Sequence, residues 1–204
     1  MNNLRGYATR QRPNEITLIL AASNQTDLVV KLVKQLPEDF SGAVILAQTG
    51  TQEVLTELES RLRGSTELAV RRVVGRVSIV KRGIYLVNSQ LQYELTGADQ
   101  LQPTTANSDR GSLLASLRGH YLTKARIILL STAFTTELGK LPATSKLKPR
   151  LISLNTLEDM TAELFKRLAT IYDLVLCESD EELFTQSTAR LKHSSDCSRT
   201  FTAF

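Results

Sequence analysis

Tryptophan is absent from this 204-residue chain, and the aromatic types together make up only 5% of it. The interior must therefore be aliphatic, built from Leu, Val, Ile and Ala. Cysteine occurs only twice, at Cys177 and Cys197, far from any metal-binding spacing. No metal and no cofactor are expected. Cys177 ends an apolar run and reads as a small buried hydrophobe, whereas Cys197 stands in a polar tail. Reduced thiols in a cytoplasmic protein fit this usage better than a disulfide. No apolar run approaches the roughly 18 residues of a membrane span, and Met1 to Asn14 has no apolar signal core. Membrane insertion is not expected. Nor is charge of one sign massed anywhere. The formal net charge is +4, and the basic residues gather only loosely at Lys140, Lys146, Lys148 and Arg150. Without an aromatic stacking platform beside it, that cluster reads as a solvated face rather than a nucleic-acid site.

What is present is ordinary for a globular protein: 42% hydrophobic and 23% charged residues. The length allows a sizeable core. Three pieces are expected: a flexible leader at 1–14, one α/β domain at 15–191, and a disordered tail at 192–204. No internal repeat and no long linker divides the middle piece.

The chain is organised around the stretch from Ile16 to Asp27. Ile16 to Leu20 is a continuous apolar run, the pattern of a strand buried on both faces of a parallel sheet. Ser23 follows at its carboxyl end, and Asp27 is placed to cap a helix beginning at Leu28. That helix carries Leu28, Leu32, Val33 and Leu36 at spacings of three and four, and Pro37 stops it. Ala43–Ala47 reads as a second buried strand, followed by a Gln48–Thr51 loop and a helix from Gln52 to Arg63 that Gly64 ends. Such a strand–helix–strand–helix order is the unit of a parallel sheet.

From Glu67 to Leu95 the runs become short and β-branched, broken by Gly75, Gly83 and Asn88-Ser89. They predict local antiparallel strands at the sheet edge, over about 68–95. Residues 96–108 read as loop, Asp109 to Tyr121 as helix, and Arg126–Leu130 as a third buried strand. Ser131 to Thr136 form its exit, with a helical piece over Glu137–Lys146. A strand at Arg150–Leu154, a helix capped at Asn155 or Thr156 and running to Ile171, a strand at Tyr172–Cys177 and a last helix from Asp180 complete the series. The expected fold class is a single doubly wound α/β domain with a mostly parallel central sheet.

In open α/β sheets chemistry gathers at the carboxyl ends of the strands, so Ser23 stands where a nucleophile would stand. Serine needs a base to take its proton. The two histidines do not suit. His120 ends a helix at the opposite end of the sheet, and His193 is in the tail. The plainer reading of Ser23 is a small polar residue satisfying backbone amides at a strand-to-helix turn.

The element order, together with several phrases, resembles the catalytic domain of CheB-type chemotaxis methylesterases. The phrases are Ala21-Ala22-Ser23-Asn24-Gln25-Thr26, Leu36-Pro37-Glu38-Asp39-Phe40-Ser41-Gly42-Ala43, Val80 to Val87, and Asp173-Leu174-Val175-Leu176. The resemblance implies a protein that hydrolyses receptor glutamate methyl esters, with Ser23 at the nucleophile position. It also implies chemoreceptors or other chemosensory proteins as partners. Departures from the family pattern fall at the catalytic positions. The family's Gln-His pair is here Gln48-Thr49, which puts Thr49 where the basic histidine stands. The aspartate that orients that histidine falls at Thr136, or at Glu137 if the loop shifts by one. The paired glycines of the first loop are Gln25 and Thr26. Asn24, Gln48 and Ala133 are expected to line the altered site. Enzymes of this kind usually follow a receiver domain, and here only the leader stands ahead. Three functions are therefore in play: a degenerate domain that acts by binding, an esterase using Ser23 with an unrecognised base, and a sensor of a small ligand in the remodelled cleft.

Overall fold

A computed structural model describes residues 11–97, 99–104, 113–142, 148–154 and 161–189. Its first half runs β1 (Ile16–Ala21), α1 (Thr26–Lys34), β2 (Ala43–Gln48), α2 (Gln52–Arg63), β3 (Ala69–Arg72), β4 (Val77–Ser78), β5 (Gly83–Asn88), β6 (Tyr93–Leu95) and β7 (Gln100–Pro103). The second half runs α3 (Leu113–Tyr121), β8 (Ala125–Leu129), α4 (Thr135–Gly139), β9 (Arg150–Leu154), α5 (Ala162–Ile171), β10 (Asp173–Cys177) and α6 (Asp180–Thr188). Seven strands form one sheet in the order β10-β9-β8-β1-β2-β5-β3, and every neighbouring pair in it is parallel.

Period-two side-chain alternation divides the strand residues between two cores. Leu18, Leu20, Ile45, Tyr85, Ile127 and Leu129 face one side, under α3, α4, α5 and the small sheet. Ile19, Val44, Leu46, Ile84, Ile128 and Ile152 face the other, under α1, α2 and α6. All six positions of β1 and all six of β2 are buried, which is why both read as unbroken apolar runs. The expected doubly wound α/β domain is therefore what the chain forms.

The stretch 68–95 divides between two sheets. β4 and β6 are antiparallel, as expected, but their common partner is β7, in the order β4-β7-β6. β7 lies in the stretch read as loop, because Gln100-Leu101-Gln102-Pro103 carries one aliphatic side chain and ends in proline. β3 and β5 are not part of that antiparallel group. They are parallel members of the main sheet, with β5 between β2 and β3. Short β-branched runs specify strands but not which strand lies alongside.

Local boundaries also shift. A 3-10 turn at Ser23–Gln25 precedes α1, which opens at Thr26, so Asp27 is not its cap. Asp27 lies in the first turn, where the helix dipole favours a carboxylate, and pairs with Arg61 of α2. That guanidinium holds the Asp27 carboxyl below its usual range. Thr161 caps α5 by accepting from the Leu164 amide at 3.3 Å, while the expected cap at Asn155 or Thr156 lies outside the described residues. Of the basic cluster, Lys140 pairs with Glu137 at 2.5 Å, Lys148 donates to Ala169 O near the end of α5, and Arg150 donates to Gln186. Lys146, Cys197, His193 and the tail lie outside the described residues.

The end of the expected leader is held in place. Lys81 N donates to Gln11 O at 3.2 Å, Asn14 N to Ser41 O at 3.3 Å, and Arg12 pairs with Asp99 at 3.0 Å. Tyr121 completes this cluster, its hydroxyl donating to Asp99 at 2.6 Å beneath the Arg12 guanidinium.

Two predictions follow from packing and titration. Leu46 is completely buried in β2, so Leu46→Ala should lower stability by about 2–5 kcal/mol in urea denaturation. Tyr121 is pushed up to about 12 from 10.0, chiefly by burial and then by its bond to Asp99. Folding thus holds this proton more tightly than the unfolded chain does. The contribution is complete below pH 10 and is lost as pH climbs toward 12. The alkaline fall in the urea midpoint should be shallower in Tyr121→Phe than in the parent.

Candidate functional site

The sheet order reverses at β1. From there the chain first lays β2, then β3 and, between the two, β5, before it returns to lay β8, β9 and β10 on the other side. A doubly wound sheet opens a crevice at the carboxyl end of such a switch point, because the crossovers on either side leave over opposite faces. Three loops meet there: the turn after β1 with Ser23, the loop after β2 with Thr49, and the exit of β8 from Leu130 to Phe134. Ser23 and Asn24 are exposed on the first of them.

Gln25 ties the first turn across the crevice. The Ala22 amide donates to Gln25 Oε1 at 2.7 Å, and the Gln25 amide donates back to Ala22 O at 3.0 Å. The other end of the same side chain, Nε2, donates to Leu130 O, just past β8, at 2.5 Å. Gln48 ties the turn from the opposite side. It is 1% exposed, and its Nε2 donates to Ala22 O at 3.0 Å and to Thr26 Oγ1 at 2.9 Å. Thr26 Oγ1 in turn donates to Ser23 O at 3.1 Å. This fixes which way the amide points, since the reversed amide would set two oxygens against each other at Ala22 O. Gln48 Oε1 is left buried and without a hydrogen-bond partner among the described residues.

Thr49 closes directly on Ser23. Its Oγ1 accepts the Ser23 backbone N–H at 3.2 Å, while its own amide donates to Ala21 O at 3.0 Å. Gly50 then passes close by. It adopts φ +131°, and a Cβ there would stand 3.2 Å from Ser23 Cβ and 3.2 Å from Val54 Cβ. Glycine meets both demands at once, the conformation and the space.

At the β8 exit, Ser131 Oγ accepts the Ala133 amide at 3.3 Å and Thr135 Oγ1 donates to Thr132 O at 2.7 Å. Phe134 is buried beneath, with Ala133 and Thr136 exposed. Ser23, Gln48 and Thr49 are thus brought into one hydrogen-bonded group, with Asn24 beside them. Thr136 makes no hydrogen bond to Ser23 or Thr49 among the described residues. The alternative position, Glu137, is turned to Lys140 at 2.5 Å. No described side chain hydrogen-bonds Ser23 Oγ. His120 is exposed at the end of α3, beside Lys124 at the amino edge of the sheet. No group of three or more His, Cys, Asp or Glu placed to hold a metal occurs among the described residues. Gln25 and Gly50 are the residues whose structural parts the sequence left unread. Glutamine placed three residues after Ala22 was the one signal for the first; the glycine after Thr49 was the signal for the second.

Fold and site together define a doubly wound α/β domain with a serine on the strand-to-helix turn at its switch point. The profile of the CheB methylesterase family matches residues 17–135, from β1 through the β8 exit loop. The chain belongs to the CheB methylesterase family. The crystal structure of the Thermotoga maritima CheB methylesterase catalytic domain is similar, with TM-score 0.59 and 14% identity, over 86% of this chain and 100% of that one. At that identity the likeness concerns the fold. No curated protein matches the chain.

The clamp on Ser23 is open to test. Gly50→Ala should lower stability by about 1–3 kcal/mol, because an alanine would be strained at this φ and would press on Ser23 and Val54. An unchanged urea midpoint would mean that the loop after β2 does not close on the turn as described.

Proposed function

We propose that this chain is a catalytically degenerate member of its family and acts by binding proteins in a chemotaxis or pilus-type chemosensory pathway in the cytoplasm. The observation that carries this reading is the partner of Ser23. Where the resemblance places a histidine, a threonine hydroxyl accepts the Ser23 amide at 3.2 Å. Threonine has no useful basicity near neutral pH and cannot take the serine proton. At Thr136, where the orienting acid would stand, there is no carboxylate, and Glu137 is spent on Lys140. The turn itself supports the same reading. An oxyanion hole needs backbone N–H groups free to face the substrate. Here the Ser23 amide is given to Thr49, and the Ala22 and Gln25 amides are exchanged between Ala22 and Gln25. The long Gln25 side chain lies across the crevice where the family carries glycine. Chemoreceptors or other chemosensory proteins are the partners this reading favours.

One observation favours a second reading, an active protein-glutamate methylesterase. Ser23 remains exposed at the switch point, with its Oγ uncommitted among the described residues. That reading needs a base that the described residues do not place beside it.

Hydrolysis of methylated receptor, or of a generic activated ester, by the purified protein separates the two. The expected result is no turnover above that of Ser23→Ala, because losing base and orienting acid costs on the order of 10⁴-fold or more in rate. Turnover abolished by Ser23→Ala would overturn degeneracy and establish the esterase.

A further inference from the structure

A second feature lies on the same edge of the sheet, one strand beyond the Ser23 group. Gln48 on β2 is paired in register with Asn88 on β5. Next to Asn88 a cavity of about 350 Å³ opens where the parallel sheet meets the small antiparallel one. Leu55, Val73, Leu86, Tyr93 and Pro103 supply its apolar wall, and Val74 forms its lip. It has room for one branched or aromatic side chain.

Val74 is 85% exposed, a large aliphatic side chain offered to water at the rim of an apolar hollow. Its base is fastened. Val73 N donates to Leu86 O at 2.9 Å, and Val73 O accepts the Tyr93 hydroxyl at 3.2 Å. The next residue, Gly75, also borders open space, since among the described residues outside its immediate chain neighbours nothing lies within 4 Å of where its Cβ would be. A single exposed valine is unremarkable by itself. One held out on a fixed turn, over a cavity, is arranged for contact.

The charged residues next to this prong in the chain, Arg71, Arg72 and Arg76, are all basic. Arg71 is exposed and has no ion pair or hydrogen bond among the described residues. Arg76 is exposed, and its Nε donates to the neutral Gln102 Oε1 at 2.6 Å. Arg72 is shared between Glu59 at 3.1 Å and Thr56 at 3.2 Å. Glu94, which accepts from Gln102, is the acid on the small-sheet side. Arg71 and Arg76 thus stand close to Val74 in the chain, on either side of it, with no carboxylate partner among the described residues.

We propose that Val74 and the cavity behind it form a docking surface for a short acidic segment of a partner protein. An apolar side chain of that segment enters the cavity, and its flanking carboxylates meet Arg71 and Arg76. This rests on the binding role proposed above only in taking the partner to be a protein. Arginine at such a rim suits carboxylates, which its planar fork can engage in pairs.

The test uses ¹⁵N-labelled full chain titrated with a seven-residue peptide that carries a Leu-Phe pair between Asp and Glu residues. A counterpart with Lys in place of the acids is run beside it. Saturable amide shifts at Arg72 to Val74 and at Val87 and Asn88 are expected with the acidic peptide alone. Val74→Asp and Arg71→Glu, both at exposed positions, should each weaken binding by about tenfold, equivalent to about 1.4 kcal/mol. Added salt should weaken it further. Equal binding of the Lys peptide, affinity unchanged in both variants, shifts confined to another surface, or no saturable shift with either peptide would each overturn the docking surface. Ser23-dependent ester turnover in the same preparation would overturn degeneracy and leave the docking surface standing.

Discussion

Strand β1 is hydrogen-bonded to a parallel neighbour on each edge and covered on both faces, and the rest of the molecule is arranged to make that possible. A parallel neighbour cannot be reached by a tight turn, so the chain must cross over the sheet to return. Crossing on one side of β1 puts α1 and α2 against one face. Going back to the other side brings α3, α4 and α5 to the opposite face. Every residue of β1 is then removed from water, which its apolar run requires. Building outward in two directions from one strand also leaves a crevice at that strand's carboxyl end. The location of the Ser23 turn is thus a by-product of how β1 is buried.

Within that crevice the polar groups are turned inward on one another. Two glutamines reach the same turn from opposite sides, Gln25 from within it and Gln48 from β2. Between them they engage the backbone of Ala22 and link it to Leu130, at the exit of β8. Neutral amides and hydroxyls can hold a turn in this way, but none of them has a titrating proton to exchange near neutral pH. The members of the group serve the shape of the loop.

Much of this was legible in the chain. Continuous apolar runs identified β1, β2 and β8 because strands buried on both faces leave no other pattern, and the spacing of Leu55, Leu58 and Leu62 identified α2. Ser23 was placed at the carboxyl end of its strand by the apolar run before it, and Thr49 was placed with it by the family resemblance. What escaped depends on distance across the fold. Strand runs at 68–95 do not encode their partners, and β3 and β5 joined the parallel sheet through a connection carrying β4 rather than a helix. Asp27 looked like a cap because its residue type suits one, yet a 3-10 turn moved the helix start to Thr26. The bridge from Gln25 to Leu130 spans 105 positions, and no local pattern carries it.

The strap formed by Gln11 to Asn14 ties the two sheets together at one end. Arg12 joins Asp99, just ahead of β7, while Gln11 and Asn14 join the segments that lead into β5 and β2. All of these fastenings lie at the amino edge. At the opposite edge a single side chain does the same work: the Tyr93 hydroxyl on β6 donates to Val73 O at 3.2 Å, just past β3. Widening the hollow behind Val74 would pull against that one hydrogen bond, so Tyr93 acts as the latch that sets the hollow's width.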